Sequence, residues 1–271
     1  MNPFETDITL AGLFSLLLAE DVLRYVIGAG GLYLLVNLAL ARRMAARKIR
    51  DRLPPRGQIR REILSSLRTA LIFALAGFAT LLGAQSGLFR LYFDASEYGT
   101  AYMVISTLAL IVLHDGYFYF AHRVLHRPKV FRAAHKLHHK SSNPTPFTAY
   151  AFNFGEAAAN AAFLPLVLLV MPLHPLAIFI FANHMILRNA MGHSGYELFP
   201  ARRDGRPLFD WMTTVTHHDI HHAQAGYNFG LYFTWWDRLM GTEHPTYHDQ
   251  FRAAIRHKAA LSPAAPQAPR A

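Results

Sequence analysis

The sequence predicts an all-α integral membrane helical bundle with about four to five spans, each of roughly 20 mostly apolar residues. Three observations predict it. Hydrophobic residues make up 52% of the chain and charged residues only 16%, where soluble domains carry about 25% charged. The charges are clustered and leave long apolar stretches between them. The sixteen histidines mostly gather near the ends of those stretches.

The elements follow in order. Met1 to Leu10 has no basic start and no convincing cleavage site, so the first apolar stretch reads as a retained helix. An amphipathic segment, Leu10 to Leu18, either lies in the interface or extends the first span. That span runs from about Val22 to Ala41 and the second from about Ala70 to Phe89. The third starts near Tyr102 and runs into a histidine motif. A fourth apolar region, Ala157 to Met185, is broken by Pro165, Pro172 and Pro175. Proline removes a donor and clashes with the preceding turn, so a helical hairpin bent around Met171 to Pro175 is expected. Residues 1–109 then form the N-terminal spans and basic loop, 110–245 a catalytic region, and 246–271 a tail. Within the tail, Leu261 to Ala271 is Pro/Ala-rich and expected to be disordered.

Net charge is +10, concentrated between the first two spans. Arg42, Arg43, Arg47, Lys48, Arg50, Arg52, Arg56, Arg60, Arg61 and Arg68 are opposed only by Asp51 and Glu62. Positive loops face the cytoplasm. Counting crossings from there places the segment after His122 on the same side, and the hairpin returns the chain to it. No nucleic-acid motif accompanies the charge. The chain has no cysteine, which excludes disulfides, Cys-ligated zinc and Cys-bound iron–sulfur clusters.

Three histidine clusters stand out: His114 with His122 and His126; His135-Lys-Leu-His138-His139; and His217-His218-Asp-Ile-His221-His222. Residues three and four apart share a helix face, so each cluster can aim two or three imidazoles at one point. Imidazole suits Zn, Cu, Fe and Ni. Together the clusters exceed what one ion takes, so two ions are implied. His193 lies between clusters, and His184 fits an interfacial or a ligand role. His217 would point away from its neighbours and support them. His174, His244, His248 and His257 belong to no cluster. Asp115, Glu156 and Asp219 sit beside the histidines and are expected to orient imidazoles through the second ring nitrogen.

At these residues the sequence resembles the fatty acid hydroxylase / sterol desaturase superfamily. The pieces are HDGYFYFAHRVLH (114–126), HKLHH (135–139), NPTPFTAYAF (143–152), GHSGYELFP (192–200), HHDIHH (217–222) and YNFGLYFTWWDRLMGT (227–242). HSGYE and HHDIHH lean towards its methyl sterol oxidase and sterol C5 desaturase members. The resemblance implies a di-iron centre on the cytosolic face, ligated by His122, His126, His135, His138, His139, His193, His218, His221 and His222. His114 matches many members but not all. Members commonly carry a histidine where this chain has Asn153. Asn228, Gly230, Trp236, Asp237 and Gly241 match the closing segment and read as packing and support.

The implied reaction is O₂-dependent hydroxylation or desaturation of a lipid, sterol-like or fatty acyl, entering from the bilayer. Tyr117 to Phe120 either lines that route or packs against lipid. Electrons come from outside, from a ferredoxin, cytochrome b5 or reductase, and the Arg42–Arg68 loop is a candidate dock. Iron rests on the resemblance, since imidazole spacing suits zinc equally. The competing class is a histidine-rich metal carrier, against which the first two spans count, being almost bare of ionisable groups. Bis-histidine haem binding is a third reading, which a Soret band would reveal.

Overall fold

The structure, a computed structural model, describes residues 7–260, with side chains through residue 255. The Leu261–Ala271 tail lies outside the described residues. Among the described residues the regular structure is helical, apart from isolated bridges such as Lys48 to Tyr196.

Helix α1 (Leu10–Tyr25) starts where the Thr9 hydroxyl accepts from Gly12 N at 3.1 Å, satisfying a free donor of its first turn. It continues in wider π-helical turns, Val26–Gly30 and Tyr33–Ala39. The amphipathic segment is therefore helical and runs on into the stretch expected as the first span. Gly28 meets Ile186 on a later helix, where a Cβ would lie 3.0 Å from its side chain. Helix α2 (Gln58–Gln85) is packed along α1, and α3 is Gly99–Leu125. These two are long and apolar enough to cross a membrane, yet only 22% and 33% of their most apolar stretches are buried in protein. A soluble core helix would be mostly buried. Leu71, Leu75, Ile105, Leu108 and Val112 instead face outward, an apolar surface that needs lipid or a partner.

The expected hairpin is present as α4 (Phe154–Leu168) and α5 (Pro175–Gly192). Pro175 occupies the first turn of α5, where its missing N–H costs nothing. The bend pairs with the segment before α3: Arg90 N donates to Leu168 O at 2.9 Å and Leu173 N to Arg90 O at 2.9 Å. Helices α4 and α5 both pack on α3 around Leu110, Phe163, Leu168 and Phe181.

At the opposite end of the bundle lie α6 (Val215–Ala223) and α7 (Tyr247–Ala260). They share a core of Phe199, Val215, Ile220, Tyr247 and Phe251. The stretch from residue 246, expected as a tail, thus carries a packed helix. The basic loop is not simply solvated either. Arg47 bonds the carbonyls of Glu197 and Phe199, and Arg61 and Arg68 bond those of Lys140 and Phe152. Arg50 chelates Asp219 at 2.9 and 3.0 Å. The cations clamp the segments that carry the histidines.

Candidate metal centre

Four pieces of chain bring the histidines together. The C-terminal end of α3 supplies His122, with His126 just past it. A π-helical turn, Phe131–His135, then the turn Lys136–His139, supply the next three. His193 closes α5. Helix α6, capped where the Thr214 hydroxyl accepts from His217 N at 3.2 Å, supplies the last three. Asn153 accepts from Leu137 N at 2.9 Å, so this residue braces the H-x-x-H-H backbone where family members commonly hold a histidine.

Nine imidazoles fall into two adjoining groups. His122, His126, His135, His139 and His221 form one, and His138, His193, His218 and His222 the other, each with its ligand atoms within 4.8 Å of one another. Every close contact inside a group is between Nε2 atoms. His122 lies 3.1 Å from His135 and 3.3 Å from His126, and His139 lies 3.2 Å from both His126 and His221. In the second group His193 lies 2.9 Å from His218, 3.1 Å from His222 and 3.4 Å from His138. Nitrogens about 2.0–2.1 Å from a shared ion, at ordinary coordination angles, stand roughly 2.8–3.4 Å apart. The donor set therefore fits one ion per group.

The other ring nitrogen is tied back where it can be. Nδ1 of His122, His193 and His221 donates to the carbonyls of Phe229, Asn189 and Tyr227 at 2.9, 2.7 and 2.7 Å. His135 Nδ1 has Glu156 Oε1 beside it at 2.9 Å, a close contact that is not aligned as a hydrogen bond. The carbonyl partners fix the tautomer that leaves Nε2 free to ligate. Burial drives the imidazoles outside the spanning helices below their ordinary value. His126 falls to about 2, His139 to about 3 and His193 to about 4, and His135, His138, His218, His221 and His222 lie well below it. Apart from burial, neighbouring imidazoles push the same way. These side chains are neutral near physiological pH, the form that binds metal.

His114 is placed elsewhere. It sits two helical turns before His122, about 12 Å along the axis. Its Nδ1 bonds Tyr232 Oη at 2.9 Å and its ring packs on Phe163 and Phe181. His184 stacks edge-on against Tyr232. His217 Nε2 lies 3.7 Å from Asp237, outside both groups. Two carboxylates depart from expectation. Asp115 accepts from Tyr232 N and Phe233 N at 2.8 and 3.2 Å, and Asp219 takes Arg50; neither orients an imidazole. Of the aromatic run, Tyr117 bonds Ala159 O, Phe118 packs on His122 and Tyr119 stacks on Trp236, while Phe120 faces out.

The closing segment supports the site from behind. Asp237 accepts from Phe229 N and Gly230 N, both at 2.8 Å, holding the carbonyl that orients His122. Asn228 takes a left-handed φ of 57° and bonds His217 O and His244 N. Glu197, buried, accepts from Phe199 N and Thr216 N at 2.8 Å each and joins the His193 loop to α6. Sequence reasoning missed Glu197, although it lies four residues after His193. It also missed Glu20 and Asp21, which lie just before the expected first span and join Arg24 on α1. A cavity of about 690 Å³ opens beside them, lined also by His114.

The chain is similar to known proteins. The family profile described as fatty acid hydroxylase matches residues 107–242, half of the chain. A Delta(7)-sterol 5(6)-desaturase of Gibberella zeae is 31% identical over 69% of this chain and 56% of its own length. Cholesterol 25-hydroxylase of Mus musculus is 35% identical over 50% of this chain and 45% of its own. Lathosterol oxidase of Homo sapiens is 29% identical over 69% and 62%. The chain thus spans about half to three fifths of the length of these relatives. No solved structure matches the chain.

Proposed function

Since the chain belongs to the fatty acid hydroxylase family, we propose that it is a membrane-embedded oxidoreductase that hydroxylates or desaturates a lipid with O₂. The observation that carries this reading is the pair of histidine groups, five and four imidazoles turned inward through Nε2 at one end of an apolar bundle. His122, His126, His135, His139 and His221 would hold one iron, and His138, His193, His218 and His222 the other. Bound there, the iron pair supplies the redox chemistry that couples O₂ reduction to oxidation of an unactivated C–H bond.

The chain supplies the rest. Carbonyls of Phe229, Asn189 and Tyr227 hold imidazole tautomers in place, and the Glu156 carboxyl stands beside His135 Nδ1. Burial keeps bulk water from the ligands and lowers the local dielectric. Hydroxylation inserts one oxygen atom and reduces the other to water with two external electrons and two protons. Desaturation uses the same electrons, removes two hydrogens from the lipid and yields two waters. The donor is a separate one-electron carrier such as a ferredoxin, cytochrome b5 or reductase. The histidine end faces the cytoplasm, where that donor is found, and the chain crosses the membrane about four to five times.

Two relatives are named as a sterol desaturase and a cholesterol hydroxylase, and a sterol-like lipid is the first substrate to try. The test is iron-loaded protein in lipid with a reducing system, followed by lipid mass spectrometry and O₂ uptake. A product with one added oxygen assigns hydroxylation, and one lacking two hydrogens assigns desaturation. Metal flux into liposomes without O₂ uptake would instead support a carrier.

A further inference from the structure

The cavity of about 690 Å³ lies between α1, α2, α4 and α5, within the size range of small-ligand sites, about 300–1,000 Å³. None of the nine clustered histidines lines it. Its wall is largely apolar, with Leu17, Phe73, Leu164, Phe181 and Met185 contributing. One side is different: Glu20, Asp21, Arg24 and Tyr150 line it together. Arg24 bonds both Glu20 and Asp21. The side chains of Arg24 and Asp21 are 11% and 12% exposed.

Charges on a spanning segment are costly and mark function more often than packing. One carboxylate would neutralise Arg24; a second leaves the cluster net negative. The wiring is also incomplete. Arg24 and Tyr150 lie close enough to interact, but neither Arg24 Nε nor Tyr150 Oη has a partner in good hydrogen-bond geometry, and Tyr150 is 1% exposed. Buried polar groups are normally paired, so this side of the cavity is built for a polar atom that comes from a ligand.

We propose that this cavity is the lipid-binding chamber and that Glu20, Asp21, Arg24 and Tyr150 select a lipid bearing a neutral hydroxyl. The proposal rests on the lipid-oxidase reading and names the substrate class for it. A hydroxyl both donates and accepts: it can donate to a carboxylate of the cluster and accept from Arg24 Nε or the Tyr150 phenol. A fatty acid carboxylate would meet two carboxylates around a guanidinium that is already engaged. A fully apolar lipid would leave the buried groups unpaired. The chemistry is shared by sterols and long-chain alcohols.

The test is equilibrium binding of tritiated cholesterol and tritiated octadecanol to the iron-loaded full chain in detergent. Their methyl ethers and stearate serve as competitors. Each alcohol that binds should do so at least about tenfold more tightly than its methyl ether or stearate. Preference for cholesterol assigns a sterol-shaped alcohol and preference for octadecanol a linear one. Tyr150→Phe and Asp21→Asn should each cut alcohol binding about tenfold and leave ether binding, iron content and melting temperature unchanged. If a variant fails to fold, the ligand series on the natural chain decides alone. Methyl ethers that compete as well as alcohols, or stearate binding best, overturn the proposal. Mass spectrometry of the same samples separates the two readings. Alcohol bound but never oxidised sinks the oxidase reading, whereas oxidation without hydroxyl preference sinks only the role of the cluster.

Discussion

Glu156 offers the sharpest residue-scale test, because it reaches a histidine only through the nitrogen that points away from the ion. Its Oε1 lies 2.9 Å from His135 Nδ1. Glu156→Ala should lower iron affinity about 10–100-fold, read by competition with a chelator, and Glu156→Gln, which can still accept, should recover part of it. Unchanged affinity in the alanine variant would remove Glu156 from the support of the site. His114 gives the complementary test. Its Nδ1 is taken by Tyr232 and its ring by phenylalanines, so His114→Phe should keep the iron content of the natural chain. His122→Ala and His218→Ala should each lower it. Loss of iron in His114→Phe would restore that residue to the ligand set. The contrast explains which residues were legible. Periodicity identified the imidazoles, since a shared face needs only local spacing. It could not give Asp115 its partner, which lies 117 residues away in sequence on a backbone N–H.

Between elements, long-range clamps hold the histidine segments in register, and these are what local patterning hides. The basic loop reads as a topology signal, yet Arg50 chelates Asp219 on α6, 169 residues away, and also bonds Ser142 O. Both side chains are mostly buried, at 16% and 10% exposed. Removing one partner strands the other, at a cost of about 3 kcal/mol. Arg50→Met should therefore lower the melting temperature in detergent and loosen iron binding, because Asp219 follows directly on His218. Arg50→Met with Asp219→Leu should recover part of the loss. A double variant as damaged as the sum of the singles would show that the two side chains act separately. The closing segment carries a second clamp. A Cβ on Gly230 would stand 2.6 Å from Phe233 O and 2.9 Å from Asp237 Oδ2. Gly230→Ala should cost about 1–3 kcal/mol and displace the Phe229 carbonyl that orients His122. The hairpin, by contrast, was legible because Pro172 and Pro175 act on their own neighbours, whereas Pro165 stays inside α4. The packed helix after residue 246 was not, because its apolar face is only Tyr247, Phe251, Ala254 and Ile255, too short a pattern to stand out before α6 is placed beside it.

At the scale of the molecule, the bundle has two chemically different ends. One end gathers the cations: Arg47 and Arg50 fasten the loop before α2, and Arg61 the start of α2, to the segments around Glu197, Asp219 and Lys140. The other end gathers the α2–α3 connection and the hairpin bend, joined through Arg90 and Leu173. Charge counting and hydropathy predict the same division on the reading that each long apolar segment crosses once and the hairpin twice. The membrane orientation proposed from the positive-inside rule is one that the chain is well suited to test. It has no cysteine, so the natural protein is a blank for thiol labelling. Arg56→Cys and Lys136→Cys should react with a membrane-impermeant maleimide only when the cytoplasmic side is open. Ser96→Cys, in the α2–α3 connection, should react in intact cells. Lys136 is chosen because its side chain is exposed between histidines and so reports the side of the metal centre itself. Labelling of Arg56→Cys and Ser96→Cys from one side would show that α2 does not cross. Labelling of Arg56→Cys and Lys136→Cys from opposite sides would break the link between the basic loop and the histidine groups. Cytoplasmic labelling of both, with Ser96→Cys outside, places the histidine end where a soluble electron carrier can reach it while the cavity stays within the span of the lipid.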